Sequence, residues 1–254
     1  MPDRDLALRA LRLLDLTDLS ETCSDRGTDA LCAKALDPRG PVAAVCLWPQ
    51  FVSRAREALR DSAVRIATVV NFPQGTDDID RVLDDVGEAL GDGAQEIDLV
   101  LPYGAFLAGD TAAATEMIAA VRDVVDQGRT LKVILETGVL ETPERIVAAS
   151  RLAIAGGADF IKTSTGKTAV SATPSAAEVM LHAIKAAGRP VGLKPSGGIR
   201  TLADAAAYLA LADRVMGPAW AVPKTFRFGA SGLYDALIAV IEGRAEGSPK
   251  VGVY

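Results

Sequence analysis

The sequence predicts an α/β protein: a single (β/α)8 TIM barrel with a helical extension at the amino terminus and a flexible carboxyl-terminal tail. Short apolar runs rich in β-branched residues alternate with longer segments of helical period along most of the 254 residues. The strand candidates are apolar almost throughout, which indicates a parallel sheet that is covered on both faces. Eight such units fit a closed barrel, and an open doubly wound sheet is the alternative.

The elements follow one another in a regular order. Residues 1–20 alternate acids and bases with leucines at helical spacing, so we assign them to the helical extension. The barrel is expected at about 40–243 and a mobile tail at 244–254, within one domain that spans 1–254. The link between the last two strands is too short for a full helix, which predicts a reduced seventh unit. The strand candidates are 41–49, 64–72, 96–102, 131–138, 159–165, 191–198, 212–217 and 226–231.

Composition favours a small-molecule partner. The formal charge is −6, aromatic residues make up 5% of the chain, and no basic stripe is present, which argues against binding of nucleic acid through its phosphates. No apolar run approaches the roughly 18 residues of a membrane helix, and the amino terminus does not resemble a signal peptide. The three cysteines do not form a closed disulfide framework. These features predict a cytoplasmic protein that does not bind membranes.

Charged residues interrupt the apolar strands near their carboxyl ends, where a barrel builds its active site. They are Asp98 in EIDLVLP, Glu136 in LKVILETG, Lys162 in DFIKTST and Lys194 in VGLKPSGG. A buried charge is costly unless it is paired, neutralised or used in chemistry. These positions are therefore candidates for the active site.

The two strand lysines predict covalent chemistry with a carbonyl compound. The chain has only eight lysines, and a lysine, unlike arginine, can lose its proton when it is desolvated beside a second cation. Two lysines at one barrel mouth would depress each other's pKa. A neutral amine forms a Schiff base, and Asp98 could relay the protons of that reaction. The alternative is a buried ion pair that only stabilises the fold, and Lys132, which opens its strand, is expected at the opposite face with such a structural role.

Glycine-containing loops predict a phosphate site. Gly197 and Gly198 precede a helix that Thr201 can cap, and Gly229 and Ser231 lie just before the last helix. Backbone amides at helix starts bind dianions, and barrels often hold phosphate near their last two strands. Lys167 in STGK could add a positive charge.

Two nucleotide-binding motifs are excluded, and the position of Cys46 is left open. A Walker A loop that ended in STGKT would need glycine where Ile161 stands, and no GxGxxG follows the first strand candidate. Cys46 is either a small core residue or a thiol that faces the barrel mouth.

Seven strings, read in order, resemble the 2-deoxyribose-5-phosphate aldolase family. They are DLT near the start, VNFPQG, EIDLVLPYG, LKVILETG, ADFIKTSTGK, GLKPSGGIRT and RFGASG, and together they cover about residues 10–240. The resemblance implies a metal-free class I lyase that reversibly cleaves 2-deoxy-D-ribose 5-phosphate to acetaldehyde and D-glyceraldehyde 3-phosphate. Its implied setting is the catabolism of deoxyribonucleotides and carbohydrates.

The resemblance also implies roles for individual residues. Lys162 matches the Schiff-base lysine, whereas Lys194 and Asp98 match the proton donor and acceptor positions. Asp15 matches a residue near the substrate hydroxyls. The tail that ends in Tyr254 is also similar to the family pattern, and its phenol could enter the barrel mouth to move protons or exclude water; a disordered terminus is the alternative. The contacts implied for the phosphate are Lys167, Gly197, Gly198 and Ser231, and the turn chemistry adds Gly229. Ser196 stands where alanine is also expected, and the segment 220–224 matches less well.

Two other functions are compatible with the same residues. A sugar-phosphate sensor would use the buried lysines as charge clamps, and another Schiff-base aldolase would accept a ketone donor. The leading reading needs no cofactor and no metal, and its partners are a sugar phosphate and short aldehydes. Alanines and valines on the outer helices are compatible with a homodimer.

Overall fold

The computed structural model describes residues 3–126 and 128–244 and contains one sheet of eight parallel strands. The neighbours run in the order β7-β6-β5-β4-β3-β2-β1-β8, so each strand pairs with the next one along the chain and β1 also pairs with β8. The strands are β1 (Leu14–Asp18), β2 (Ala44–Leu47), β3 (Arg65–Val70), β4 (Glu96–Val100), β5 (Thr130–Ile134), β6 (Phe160–Lys162), β7 (Gly192–Lys194) and β8 (Phe228–Ala230).

Hydrogen bonds between the segments of β7 and β8 close the sheet into a barrel. The backbone N–H of Leu193 donates to the carbonyl of Thr225 at 2.9 Å, and that of Gly229 donates to Pro195 at 2.9 Å. Parallel bridges join Leu193 to Phe226 and Ser196 to Gly229. The predicted (β/α)8 architecture is confirmed, and all carboxyl ends of the strands open at one mouth.

Helices between the strands form the outer layer. Several begin with the side-chain caps that their sequence predicts; for example, the Thr201 hydroxyl and the Asp204 carboxylate form a reciprocal capping box. The helices are α1 (Asp3–Arg12), α2 (Asp25–Ala35), α3 (Val52–Ala58), α4 (Ile79–Asp92), α5 (Tyr103–Leu107), α6 (Thr111–Val124), α7 (Thr137–Leu140), α8 (Pro143–Ala155), α9 (Pro174–Lys185), α10 (Leu202–Met216) and α11 (Leu233–Ile241).

The first strand of the barrel lies within the segment that the sequence assigned to a helical extension. The prediction that the barrel starts near residue 40 is therefore wrong, because β1 already pairs with β2 and β8 and the extension is α1 alone. The pattern was misleading because Asp15, at the centre of β1, is completely buried. Its charge is balanced by cations from distant strands, which a local hydrophobic pattern does not reveal.

The predicted strand at 212–217 is also wrong. Those residues continue α10, whose buried face includes Leu209, Ala212 and Val215 at helical spacing. The helix ends at Gly217, which has a φ of 101°, a conformation that favours glycine. The seventh unit is consequently complete, with β7 followed by a helix of 15 residues.

The barrel interior has two chemically different sides. On the side of β2 and β3, Cys46, Ala67 and Val69 pack together with Leu19 in a small apolar cluster. The buried charged side chains of the interior are Asp15 on β1, Glu96 and Asp98 on β4, Lys132 on β5, Lys162 on β6, Lys194 on β7 and Arg227 just before β8. The larger apolar core lies between the sheet and the helices. A charged column inside a rigid apolar shell therefore leads to the carboxyl-terminal mouth.

Within the ranges that the structure describes, no helix combines the length and the apolar character that crossing a membrane requires. The predicted tail falls mainly on residues 245–254, which lie outside those ranges.

Candidate active site

A cavity of about 460 Å³ opens at the carboxyl-terminal mouth of the barrel. Its walls come from the loops that follow β1, β6, β7 and β8, the strands that meet on one side of the mouth. The lining residues that matter below are Thr165, Lys167, Gly197, Gly198, Gly229 and Ser231.

Lys162 ends β6 and directs its amine into the barrel below this cavity. The residue is 2% exposed, and its Nζ donates to Asp98 Oδ2 at 2.8 Å. β6 is apolar around it because both faces of the sheet are covered, so the ammonium form has little solvent to stabilise it. The structure therefore isolates this amine from water while leaving it one hydrogen-bond acceptor.

Lys194 is the register partner of Lys162 on β7. Its Nζ donates to the same Asp98 oxygen at 2.7 Å and lies 2.6 Å from Asp15 Oδ2. Because both amines bind Asp98 Oδ2, at 2.8 and 2.7 Å, the two nitrogens are at most 5.5 Å apart, the sum of those distances. The two lysines predicted to converge do so.

The electrostatic environment distinguishes the two lysines. Burial lowers the pKa of Lys162, the nearby charge of Lys194 lowers it further, and Asp98 only partly offsets these effects. Burial also acts on Lys194, but Asp15 and Asp98 outweigh it and raise the pKa of Lys194. The expectation that each lysine depresses the other is thus wrong for Lys194. Of the two amines, that of Lys162 loses its proton more readily, and Lys194 is a cation beside it.

Asp98 links three amines. Its Oδ1 accepts from Lys132 at 2.8 Å, whereas Oδ2 accepts from Lys162 and Lys194. Burial would raise the pKa of this carboxyl, but the three lysines together hold it well below its usual range. Asp98 is therefore an anion within reach of the nucleophile.

One predicted placement is wrong, and another stays untested. Lys132 is not at the opposite face of the barrel: it is fully buried in the interior, where it pairs with Asp98 and lies 2.6 Å from Glu96 Oε2. Asp15 is fully buried between Lys194 and Arg227, and like Lys162, Lys194 and Asp98 it is not among the residues that line the cavity; its contact with the substrate hydroxyls stays a prediction. Both side chains form ion pairs with other buried groups.

The predicted phosphate residues converge on one wall of the cavity. Lys167, Gly197, Gly198, Gly229 and Ser231 all line it. A Cβ at Gly197 would lie 2.6 Å from the Cβ of Ser171, and the φ of Gly197 is 86°, so this tight turn requires glycine. The close turn places Gly197 and Gly198 on the cavity wall.

The two helix starts beside this wall differ in their side-chain caps. At α10, Asp204 Oδ2 already accepts from the N–H groups of Arg200 and Thr201, each at 2.9 Å. α11 begins after Ser231 and Gly232 and has no side-chain cap. Of the two predicted dianion sites, the start of α11 is the better suited.

Glu136 was noted in the sequence but not assigned a role in the site, and it organises the loop that carries Lys167. It is fully buried with a φ of 57°, and its Oε2 accepts from the N–H of Thr165 at 3.2 Å and from the Thr165 hydroxyl. Its Oε1 accepts from the hydroxyl of Thr168 at 3.1 Å. The backbone N–H of Lys167 in turn donates to the Thr165 hydroxyl at 3.0 Å, so Glu136 fixes the loop on which the basic residue lies.

Three further interpretations concern single groups. Cys46 is fully buried beside the charged column, and burial raises the pKa of its thiol, which therefore stays protonated. In the described ranges, no three side chains of His, Cys, Asp or Glu are arranged to hold a metal ion. The interpretation of Tyr254 lies outside the described residues and stays a prediction.

Sequence reasoning missed the lower half of the charged column, formed by Glu96, Lys132 and Arg227. A signal was available, since Glu96 precedes Asp98 by two residues and Arg227 precedes Gly229 by two, the spacing of side chains on one face of a strand. Their pairing across strands, however, is visible only in three dimensions.

Comparisons with known proteins agree on one family. The sequence profile of the DeoC/LacD family aldolases matches residues 10–233. A deoxyribose-phosphate aldolase from Agrobacterium fabrum is 53% identical over 241 residues, which are 94% of this chain and 93% of the relative. A crystal structure assigned to the deoxyribose-phosphate aldolases, from Toxoplasma gondii ME49, is 27% identical with a TM-score of 0.87 and covers 95% of this chain and 97% of its own. The tetrameric deoxyribose phosphate aldolase from Aeropyrum pernix is 25% identical with a TM-score of 0.74 and coverages of 94% and 92%.

Proposed function

The chain belongs to the DeoC/LacD aldolase family, and from that premise we propose that it is a deoxyribose-phosphate aldolase acting through a Schiff base on Lys162. It is a carbon–carbon lyase that reversibly cleaves 2-deoxy-D-ribose 5-phosphate to acetaldehyde and D-glyceraldehyde 3-phosphate. The single observation that carries the proposed mechanism is the buried amine of Lys162, whose pKa is lowered while those of Lys132 and Lys194 are raised.

The first step forms the covalent bond. The neutral amine of Lys162 attacks C1 of the open-chain sugar, and the resulting carbinolamine loses water to give an iminium ion. Asp98 Oδ2, at 2.8 Å from the amine, accepts a proton during addition and then faces the positive nitrogen. Lys194 donates to the same oxygen and can supply the proton that leaves with the hydroxyl as water. The proton that Asp98 accepted then passes to Lys194 along the same hydrogen bond, so Lys194 is a cation again before the next step.

The second step breaks the bond between C2 and C3. The C3 hydroxyl gives up its proton to a base, C3 becomes the aldehyde carbon of D-glyceraldehyde 3-phosphate, and the bonding electrons move into the enamine of C1 and C2. The iminium introduces a positive charge close to Lys194, and the neutral enamine removes it. The cation of Lys194 thus favours electron flow toward the nitrogen. Protonation of C2 and addition of water then release acetaldehyde and restore Lys162.

The loops beside the amine of Lys162 would bind the phosphate of the substrate. Lys167 supplies a positive charge, and its Nζ, which donates to the carbonyl of Leu19 at 2.8 Å, can turn toward a dianion. Ser231 and the uncapped start of α11 offer a hydroxyl and backbone N–H groups. These contacts would hold the phosphate end of the sugar while C1 reaches the amine.

The apolar side of the barrel interior suits a short donor aldehyde. Leu19 lines the cavity and packs against the buried Cys46, Ala67 and Val69, so this side offers apolar contact for a methyl group but no charged partner for the extra hydroxyl of a ketose donor. This composition supports acetaldehyde as the donor in the reverse reaction.

The cellular setting follows from the proposed activity. A cytoplasmic location is supported by three free thiols, Cys23, Cys32 and Cys46. A homodimer stays a prediction, and the tetramer known for the relative from Aeropyrum pernix makes subunit mass in solution the measurement that decides it.

The proposed function is tested by incubating the protein with 2-deoxyribose 5-phosphate and measuring released acetaldehyde. The wild type is expected to turn over the substrate, whereas Lys162→Arg, which replaces the deprotonatable amine with a permanent cation, loses at least about 10³-fold in kcat. In the synthetic direction, acetaldehyde should be preferred to dihydroxyacetone as the donor. Binding of the sugar phosphate without cleavage would instead support a sensor, and preference for dihydroxyacetone would support a ketone-dependent aldolase.

A further inference from the structure

The ion pairs around Lys162 continue to the floor of the barrel, where they end at Arg227 and Glu96. Arg227, 5% exposed, directs Nη1 to Asp15 Oδ1 at 2.6 Å and Nη2 to Glu96 Oε1 at 3.0 Å. Glu96 is 1% exposed and lies 2.6 Å from Lys132 Nζ. Both floor residues line a second cavity, of about 800 Å³, at the amino-terminal mouth, and neither lines the active-site cavity.

The charges of this buried column balance only when one lysine is neutral. Its cations are Lys132, Lys162, Lys194 and Arg227, and its anions are Asp15, Glu96 and Asp98. With all seven groups ionised, one positive charge is in excess. Arginine keeps its proton in proteins, and the carboxylates hold Lys132 and Lys194 protonated, so the excess falls on Lys162.

Every strand of the barrel contributes to the surroundings of Lys162. The neutral contributors are on β2 and β3, where the buried thiol of Cys46 lies beside Ala67 and Val69. Arg65, at the lower end of β3, is 3.7 Å from Glu96 with a side chain that is 36% exposed, so solvent screens its charge. The charged groups that face the interior are Asp15 on β1, Glu96 and Asp98 on β4, Lys132 on β5, Lys194 on β7 and Arg227 just before β8.

We propose that Arg227 and Glu96 are positioning residues for the aldolase reaction: through the charge of the barrel floor they set the pH range in which the amine of Lys162 is neutral. The proposal rests on the proposed function. Arg227 occupies one oxygen of Asp15 and pairs with Glu96, so these carboxylates have no unmatched negative charge with which to stabilise a fourth cation. A proton on Lys162 would then be an uncompensated charge in a medium of low dielectric constant.

Single substitutions at the two floor residues should move the pH profile in opposite directions. Glu96→Gln removes an anion, so the rise of kcat/KM with pH should move to lower pH. Arg227→Met removes a cation, so the rise should move to higher pH. Each shift should be about one pH unit, the effect of a unit charge roughly 10 Å away at an effective dielectric constant of about 20.

The double variant Glu96→Gln/Arg227→Met restores the balance, so its profile should return to within about 0.3 pH unit of the wild type. Arg65→Met is the matched control, because it removes a solvent-screened cation from the same Glu96 and should shift the profile by less than about 0.3 pH unit. The substrate phosphate titrates identically in all variants, so it cancels in these differences.

The experiment measures kcat/KM for cleavage of 2-deoxyribose 5-phosphate between about pH 5 and 9, with circular dichroism to confirm folding. Opposite shifts in the single variants and their cancellation in the double variant support the proposal. An unchanged profile, or shifts of the same sign, would overturn it and would mean that Arg227 and Glu96 only stabilise the fold. If Arg227→Met does not fold, the shift of the pH profile of Glu96→Gln to lower pH still tests the proposal. Failure of the wild type to cleave the substrate would instead refute the proposed function.

Discussion

Replacing Lys194 with methionine should move the activity of the enzyme to higher pH by raising the pKa of Lys162. Methionine keeps an unbranched side chain of similar length but removes the positive charge that shares Asp98 Oδ2 with Lys162. Once Lys194 is gone, Asp98 also stabilises the protonated form of Lys162 more strongly. Both effects act in the same direction.

The size of the shift follows from the geometry. The two nitrogens are at most 5.5 Å apart, the sum of their 2.8 and 2.7 Å distances to one oxygen. Unit charges about 5 Å apart repel by about 3 kcal/mol at an effective dielectric constant of about 20, which corresponds to about two pKa units. At a pH below the wild-type pKa, the fraction of neutral amine and hence kcat/KM should fall about 100-fold.

The assay is the pH dependence of kcat/KM for cleavage of 2-deoxyribose 5-phosphate by the wild type and by Lys194→Met. Lys34→Met is the control, since this lysine lies on the outside of the barrel, where it is 3.4 Å from Asp235. If Lys194→Met lowers kcat/KM equally at all pH values, Lys194 acts only as a proton donor. The electrostatic reasoning would then be refuted.

Three further predictions address other parts of the site. Glu136→Gln weakens the hydrogen-bond acceptor that holds Thr165. It should raise KM for the phosphorylated substrate about fivefold to tenfold, while kcat/KM for unphosphorylated 2-deoxyribose stays unchanged. Equal losses for both substrates would contradict a role of Glu136 in the phosphate loop. Gly229→Ala places a Cβ 3.0 Å from Cε of Lys194. This contact should lower kcat at least about tenfold and lower the free energy of unfolding by about 1–3 kcal/mol. Wild-type kinetics would show that the cavity wall at Gly229 has room for a methyl group. The folded-state pKa of Asp98 lies well below its ordinary value of 3.8, so the ionised carboxylate stabilises the fold above that pH, and this contribution is lost as the pH falls toward the folded-state value. Urea unfolding should therefore show a free energy of unfolding that decreases below about pH 5. A constant value down to about pH 3 would contradict the ion-pair network.

Local patterns predicted which charged and loop residues come together at the upper end of the barrel. Lys162, Lys194 and Asp98 stood out because a charge in an apolar strand has a limited number of explanations, and Lys167, Gly197 and Ser231 stood in loops of typical anion-binding chemistry. The structure brings the first three residues within hydrogen-bonding distance and the others to one cavity wall. Their catalytic and binding roles stay predictions until variants are measured.

The errors share one physical cause. β1 was missed because Asp15 disguises a buried strand, and Lys132 was misplaced because its partners, Glu96 and Asp98, come from a neighbouring strand. Sequence spacing alone also gave no order of basicity for Lys162 and Lys194, since that order depends on the extra carboxylate of Asp15 beside Lys194. Charge balance inside a barrel is a property of the closed sheet rather than of any single strand.

The central claim is that one of three buried lysines carries the reactive amine, and covalent trapping tests it most directly. The protein is incubated with acetaldehyde and sodium borohydride, digested, and mapped by peptide mass. The account predicts a reduced two-carbon adduct on Lys162 and none on Lys132 or Lys194, whose neighbouring carboxylates keep them protonated. An adduct on Lys194, or a protein without any adduct, would contradict it.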